Sequence, residues 1–278
     1  MIEPTVYLKI TQPHYSMPVY LQLTKISLVD ETIPVFREFP HPCPYIPERQ
    51  CSNLRFSLTY AENSFLDMLL SRGFRHFGEQ YFRPACAGCN ACVGIRIPVA
   101  TFKPDRSQRR CLKDNTDLQW EMGDVVESAE RLDLLNRFQV ARWISKGWGL
   151  MEYTAEQYDS SFAWDPAVTH EICVRDRSGR LLAVGILDIT EHSASAIYHY
   201  HAPEESHRGL GTWMILKELE LLRDMGISYL YLGLWNGDCP SLQYKKRFRP
   251  FELFIDEKWV REDLGSSISA PIESPFGF

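Results

Sequence analysis

Alternation of apolar and polar positions is clearest in the second half of the chain. "THEICVRD" (169–176), "RLLAVGILDI" (180–189) and "ASAIYHYHA" (194–202) read as three strands. The turns "RSG" and "TEHS" between them suit antiparallel hairpins. A helical period precedes them in "VVESAERLDLLNRFQVARWIS" (125–145), where Leu134, Leu135, Phe138 and Ala141 or Arg142 mark an inner stripe. A second helix runs from about Leu210 to Met225, with Ile215, Leu219 and Leu222 inward and Lys217, Glu220 and Asp224 outward. After Gly226 comes another strand, "SYLYLGLW" (228–235). In the first half, "LRFSLTYA" (54–61) and "VGIRIPV" (93–99) read as strands. Between them "NSFLDMLLSRGF" (63–74) reads as a helix that Asn63 or Ser64 starts and Gly73 ends, with Phe65, Met68 and Leu69 on one face. Proline breaks "FREFPHPCPYIPERQ" (36–50) into an ordered loop. Residues 1–35 show little pattern, and the Ser-, Pro- and Gly-rich end "DLGSSISAPIESPFGF" (263–278) reads as mobile.

The order helix, three antiparallel strands, "HRGLG", helix, strand is similar to the acyl-transferase core of GCN5-related acetyltransferases. There a glycine loop leads into a helix whose free N–H groups hold an anion. Acetyltransferase loops read roughly Gln/Arg-x-x-Gly-x-Gly/Ala; here Ser206-His207-Arg208-Gly209-Leu210-Gly211 keeps the glycines and lacks the leading residue. The expected fold is α+β: a GCN5-related acyl-transferase-like core with a mixed central sheet, plus a cysteine-containing N-terminal domain. The expected divisions are an extension (1–35), a Cys-rich acceptor-recognition domain (36–112), the acyl-transferase-like domain (113–262) and a flexible tail (263–278).

Composition narrows the class. The 278 residues are 45% hydrophobic and 24% charged, ample for one large or two modest cores. No run approaches the roughly 20 apolar residues of a membrane helix. The first residues lack a secretion-signal pattern, and eight cysteines are too sparse for a disulfide scaffold, so a reducing cytoplasm is expected. Net charge is −6, which gives no global pull toward nucleic acid. Two local runs differ: "KPDRSQRRCLK" (103–113) and "YKKRFRP" (244–250) mix cations with polar and aromatic groups, as a phosphate-and-base surface does.

In "YFRPACAGCNACVGIRIP" (81–98), Cys86, Cys89 and Cys92 recur every three residues. Three thiolates at this spacing suit zinc or an iron–sulfur cluster, with Cys43 the first choice of fourth ligand and Cys51 or Cys111 behind it. Reduced structural thiols are a second reading and a redox-active thiol a third.

Taken together, "HPCPYIPER" (41–49), "LLSRGFRHFG" (69–78), the cysteine block, "RIPVATFKPDRSQRR" (96–110), "IYHYHAPE" (197–204), "YLYLGLW" (229–235) and "FRPFELF" (248–254) resemble the arginyl-tRNA–protein transferase family. The likeness is strongest to its bacterial aspartate/glutamate leucyltransferase branch. That resemblance implies transfer of an amino acid from aminoacyl-tRNA to a protein N-terminus, marking the protein for degradation. Aminoacyl-tRNA is then the co-substrate, no cofactor is required for the chemistry, and neither membrane nor DNA is a partner. Leu-tRNA and proteins with N-terminal Asp or Glu are the implied substrates; an arginyl donor or altered acceptor choice is the alternative, and an acetyl-CoA-dependent N-acetyltransferase or a non-catalytic RNA-binding module are others. The family usually reads Arg-Arg-Ser-Gly where this chain has Arg75-His76-Phe77-Gly78, and Gly-Tyr-Trp where it has Gly233-Leu234-Trp235.

Proton handling falls to Tyr198 or Asp188 on adjacent strands, with His199 alternating to the other face. Arg75, Arg83 and Arg96 bracket the cysteine block and suit an acceptor carboxylate. Arg106, Arg109, Arg110, Lys245, Lys246 and Arg247 are the expected tRNA phosphate contacts.

Overall fold

The computed structural model describes residues 7–10, 19–28, 31–147, 149–165 and 167–262. The chain opens with strands β1 (Tyr7–Ile10), β2 (Val19–Leu28) and β3 (Glu31–Glu38), a short ribbon of β4 (His41–Pro42) and β5 (Gln50–Cys51), and β6 (Asn53–Ser57). Helix α1 (Asn63–Ser71) leads to the hairpin β7 (Arg75–Phe77) and β8 (Gln80–Pro84), then to β9 (Val93–Pro98) and helix α2 (Arg106–Asp114). After β10 (Gln119–Asp124) come helices α3 (Ala129–Lys146) and α4 (Ala155–Phe162) and strands β11 (Thr169–Arg175), β12 (Leu181–Ile189) and β13 (Ser193–His201). Helix α5 (Leu210–Asp224), β14 (Tyr229–Trp235), helix α6 (Pro240–Gln243) and the hairpin β15 (Glu252–Ile255) and β16 (Lys258–Arg261) complete it.

Two sheets organise these elements. One has six strands in the order β1-β2-β3-β6-β8-β7; the other has eight, β10-β11-β12-β13-β14-β9-β15-β16. Residues 1–35, read from sequence as lacking pattern, supply β1, β2 and most of β3 within the described part. Polar Thr, Lys and Ser interrupt the alternation there and hide the β-branched content. The expected mobile tail lies outside the described residues.

The larger sheet is mixed, as expected from the strand order, with β13 and β14 parallel and the other pairs antiparallel. β12 is buried at every position, as a strand covered on both faces must be. Tyr198 packs against Phe138 of α3 and Phe162 of α4, whereas its neighbour His199 meets Glu218 of α5, so these helices cover opposite faces. Ser128 caps α3 by accepting from the Arg131 N–H, and Gly147, left-handed at φ 66°, ends it. Its buried stripe is Leu134, Leu135, Phe138 and Gln139. In α1 the fully buried positions are Leu66, Leu69 and Leu70, with Phe65 and Met68 packed at the edge; no side chain caps its start at Glu62.

β9 precedes the expected division at residue 112, yet it pairs antiparallel with β14 and β15 inside the larger sheet. Strand pairing therefore crosses that division.

Candidate active site

β13 and β14 run parallel but pair over just three residues: Ser193 with Tyr229, Ala194 with Leu230 and Ser195 with Tyr231. Beyond that point the strands separate into a V. Two irregularities flank it. The β12–β13 register shifts between Ile186 and Leu187, which leaves Ile197 as an extra residue of β13, and the β14–β9 register shifts between Tyr231 and Leu234. Parting strands expose backbone N–H groups that a regular ladder would consume.

The three-residue strand β7 closes over this opening, each residue touching a different strand of the larger sheet. Arg75 lies on Gly233 of β14, which is left-handed at φ 80°; a Cβ there would overlap the guanidinium. His76 bonds Asp188 of β12. Phe77 packs edge-on to Tyr198 of β13, with centroids 6.1 Å apart.

Several buried side-chain atoms around the V lack a partner among the described residues: Ser195 Oγ at its apex, Arg75 Nε, Trp235 Nε1 at the end of β14, and Glu218 Oε2 on α5. Buried polar groups in folded proteins are normally paired, so such a group of orphans marks a place built for a ligand.

Two basic side chains meet here. Lys245 is 7% exposed and its Nζ donates to the Leu234 carbonyl at 2.7 Å. Burial, then the Arg75 charge, push its ammonium well below the ordinary lysine range. Burial also lowers Arg75, against the pull of Tyr45 and Tyr244. Arg75 stacks over Phe82 at 5.9 Å, and no carboxylate among the described residues pairs with it.

The other expected site residues fall into distinct settings. Asp188 is fully buried and accepts from Thr169 Oγ1 at 2.8 Å and from His76 Nε2, so both its oxygens are taken. Tyr198 lines the α3–α4 side of the V. Its hydroxyl accepts from Gln139 at 3.0 Å; burial raises it above the usual tyrosine value, opposed by the Arg142 charge and by Gln139. Arg83 is engaged by Glu257 at 2.9 Å and by the Arg72 carbonyl. Arg96 is held by Glu252 at 2.6 Å and stacked on Tyr229 and Trp259. Of the three arginines, the fold brings Arg75 alone to the V.

The two basic runs, far apart in sequence, do meet. The run 103–113 forms α2, opened by an Asp105–Gln108 capping box, and Gln108 Nε2 donates to the Arg247 carbonyl at 3.0 Å. Arg106, Arg109, Arg110 and Arg247 are exposed. Lys246 pairs with Glu262 at 2.9 Å and sits 3.7 Å from the Trp235 ring centre. Lys245 departs from the expectation of a phosphate contact: its ammonium is turned inward to the β14 carbonyl.

The cysteines also depart from expectation. Cys86 donates to the Ser52 carbonyl, Cys89 accepts from Arg49 at 3.2 Å, and Cys92 accepts from Asn236 at 3.3 Å. Cys51 lies 3.1 Å from His41 Nδ1. Among the described residues, no three Cys, His, Asp or Glu side chains gather into a metal-holding group, so the expected set Cys43, Cys86, Cys89 and Cys92 is not assembled. Cys86, Cys89 and Cys92 each have a different protein partner. Burial, with added charge from the neighbouring Cys43 and Cys86 thiols, pushes Cys92 up to about 11 and Cys51 up to about 12.

Known proteins bear on this arrangement. Family profiles described as arginine-tRNA-protein transferase, N terminus and C terminus, match residues 41–110 and 130–255. An aspartate/glutamate leucyltransferase of Halorhodospira halophila is 35% identical over 83% of this chain and 98% of its own length. One from Saccharophagus degradans is 32% identical over 81% of this chain and 95% of its own. Among solved structures, FemX superposes with a TM-score of 0.48 at 10% identity over 83% of this chain and 84% of that one. The chain belongs to the arginine-tRNA–protein transferase family, in the branch of the bacterial aspartate/glutamate leucyltransferases.

Proposed function

We propose that this protein moves leucine from Leu-tRNA to the α-amine of proteins that begin with Asp or Glu, creating a degradation signal. The single observation that carries the acceptor half is Arg75, held over Gly233 at the V and paired with no carboxylate among the described residues. A planar guanidinium suits the side-chain carboxylate of the acceptor. Arg83 and Arg96 serve as ion-paired supports of the hairpins around it.

The chemistry asks little of the protein beyond position. The aminoacyl ester is already activated. The neutral α-amine attacks the ester carbonyl; the C–N bond forms, the bond to the ribose oxygen breaks, the nitrogen gives up a proton and the ribose oxygen takes one. Backbone N–H groups freed by the parting of β13 and β14 would stabilise the tetrahedral oxyanion. Holding both substrates in the V supplies the larger share of the rate. Tyr198, at the wall and hydrogen-bonded to Gln139, would orient the amine; Asp188 anchors β7 through His76. Arg106, Arg109, Arg110 and Arg247 form the surface for the tRNA backbone, with Lys246 at its margin. The expected division at 112 falls inside α2 and after β9, both of which join the core of the larger sheet; the working compartment we propose is the cytoplasm.

The test is a transfer assay with tRNA charged with labelled Leu, Arg or Phe and peptides beginning Asp, Glu, Lys, Arg or Ala. Leucine on the Asp and Glu peptides alone is the expected result. Transfer to the Lys or Arg peptides instead would remove the acidic-acceptor reading, and label from Arg-tRNA would replace the donor.

A further inference from the structure

Helix α5 crosses between β13 and β14, below the V, and carries a carboxylate that acceptor recognition leaves unused. Glu218 is fully buried. Its Oε1 lies 2.5 Å from His199 Nε2, while its Oε2 is buried with no partner among the described residues. A buried carboxylate with one oxygen unsatisfied is expensive to keep, and a nonpolar residue would cost less unless something binds that oxygen.

The histidine that holds this carboxylate stands at the V. His199 belongs to β13 beyond its last pairing with β14, on one arm of the V. The imidazole is pinned over Gly185, where a Cβ would come within 3.0 Å of it, and Met214 of α5 fills the same point.

The donor chemistry supplies a reason. An aminoacyl ester carries an ammonium on the carbon next to its carbonyl; acetyl and other plain acyl donors do not. The Arg75 guanidinium would repel that ammonium, so a donor seated in the V needs an anion near its α-carbon. The acceptor amine is not the match, because it must be neutral to attack.

We propose that Glu218, held in place by His199, binds the α-ammonium of the aminoacyl donor and thereby selects aminoacyl over plain acyl esters. This deepens the leucyltransferase reading and rests on it.

The experiment compares leucyl-tRNA with the same tRNA after nitrous-acid deamination to its 2-hydroxyacyl ester, using the full-length protein and an Asp peptide. The wild type is expected to prefer the aminoacyl donor by at least about tenfold in kcat/KM, the value of one charge-assisted hydrogen bond. In Glu218→Gln, which keeps the shape, the ratio of the two donors should fall by about 10-fold or more with the KM for peptide unchanged. His199→Gln should lower the ratio part of the way, as a positioning residue would. Equal losses on both donors, or a wild type indifferent to deamination, would overturn the assignment while leaving leucyl transfer intact. Wild-type protein inactive with leucyl-tRNA overturns the transferase reading, and this assignment with it.

Discussion

Arg75→Ala removes the guanidinium that β7 holds over Gly233 at the V. KM for Asp and Glu peptides should rise by about 10–100-fold, the loss of a charged hydrogen bond, with KM for Leu-tRNA little changed. Arg83→Ala, which loses a pairing with exposed Glu257, should leave both constants near wild type. His76→Ala is a stability change first. It strands the Asp188 carboxylate in a fully buried site with Thr169 as its remaining donor, so urea unfolding should show a loss of about 3–5 kcal/mol. Cys173 gives a pH signature. Burial, then the neighbouring Glu171 charge, push its thiol from an ordinary 9.0 up to about 12. The unfolded thiol ionises first, so its contribution is fully present below pH 9 and is lost as pH rises from 9 toward 12. A Cys173→Ala protein should show a shallower decline in stability over that window.

The element scale shows what the sequence discloses and what it withholds. Periodicity was enough for α3, α5 and the β11–β12–β13 meander, because each buries a regular face against the others. α4 went unread although Thr154 and Gln157 form a capping box; its eight residues are too short for a helical stripe to stand out. β7 is harder still. Three residues carry no period, yet Arg75, His76 and Phe77 reach β14, β12 and β13. Its role is set by partners more than 100 positions away, and local pattern has no access to them. The same reason separates Arg75 from Arg83 and Arg96: Glu257 and Glu252, which engage the latter two, come from the distant C-terminal hairpin. Gly233→Ala tests the element. At φ 80° an alanine is strained, and its Cβ would displace Arg75. A loss of about 1 kcal/mol or more in stability, with a raised peptide KM, is expected from denaturation and steady-state kinetics.

At the scale of the whole molecule, a chain of net charge −6 gathers Arg106, Arg109, Arg110 and Arg247 on one exposed surface. Binding to tRNA there should weaken steeply with salt. Each arginine replaced by alanine should lower the slope of log affinity against log salt by about 0.7–0.9. Lys245→Ala should leave that slope unchanged, because its ammonium is spent inside the fold. Filter binding across salt concentrations separates the two outcomes.

The position of β9 has a consequence for synthesis. This strand leaves the ribosome early, but β14, the neighbour it pairs with in the larger sheet, emerges about 130 residues later. At about 5–20 residues per second the wait lasts about 7–26 s. Throughout it the nascent chain displays "VGIRIP", a short apolar strand with an unpaired edge, beside a newly made cysteine-rich loop. The finished enzyme hides this segment at the heart of its catalytic sheet; the growing one must keep it from strangers.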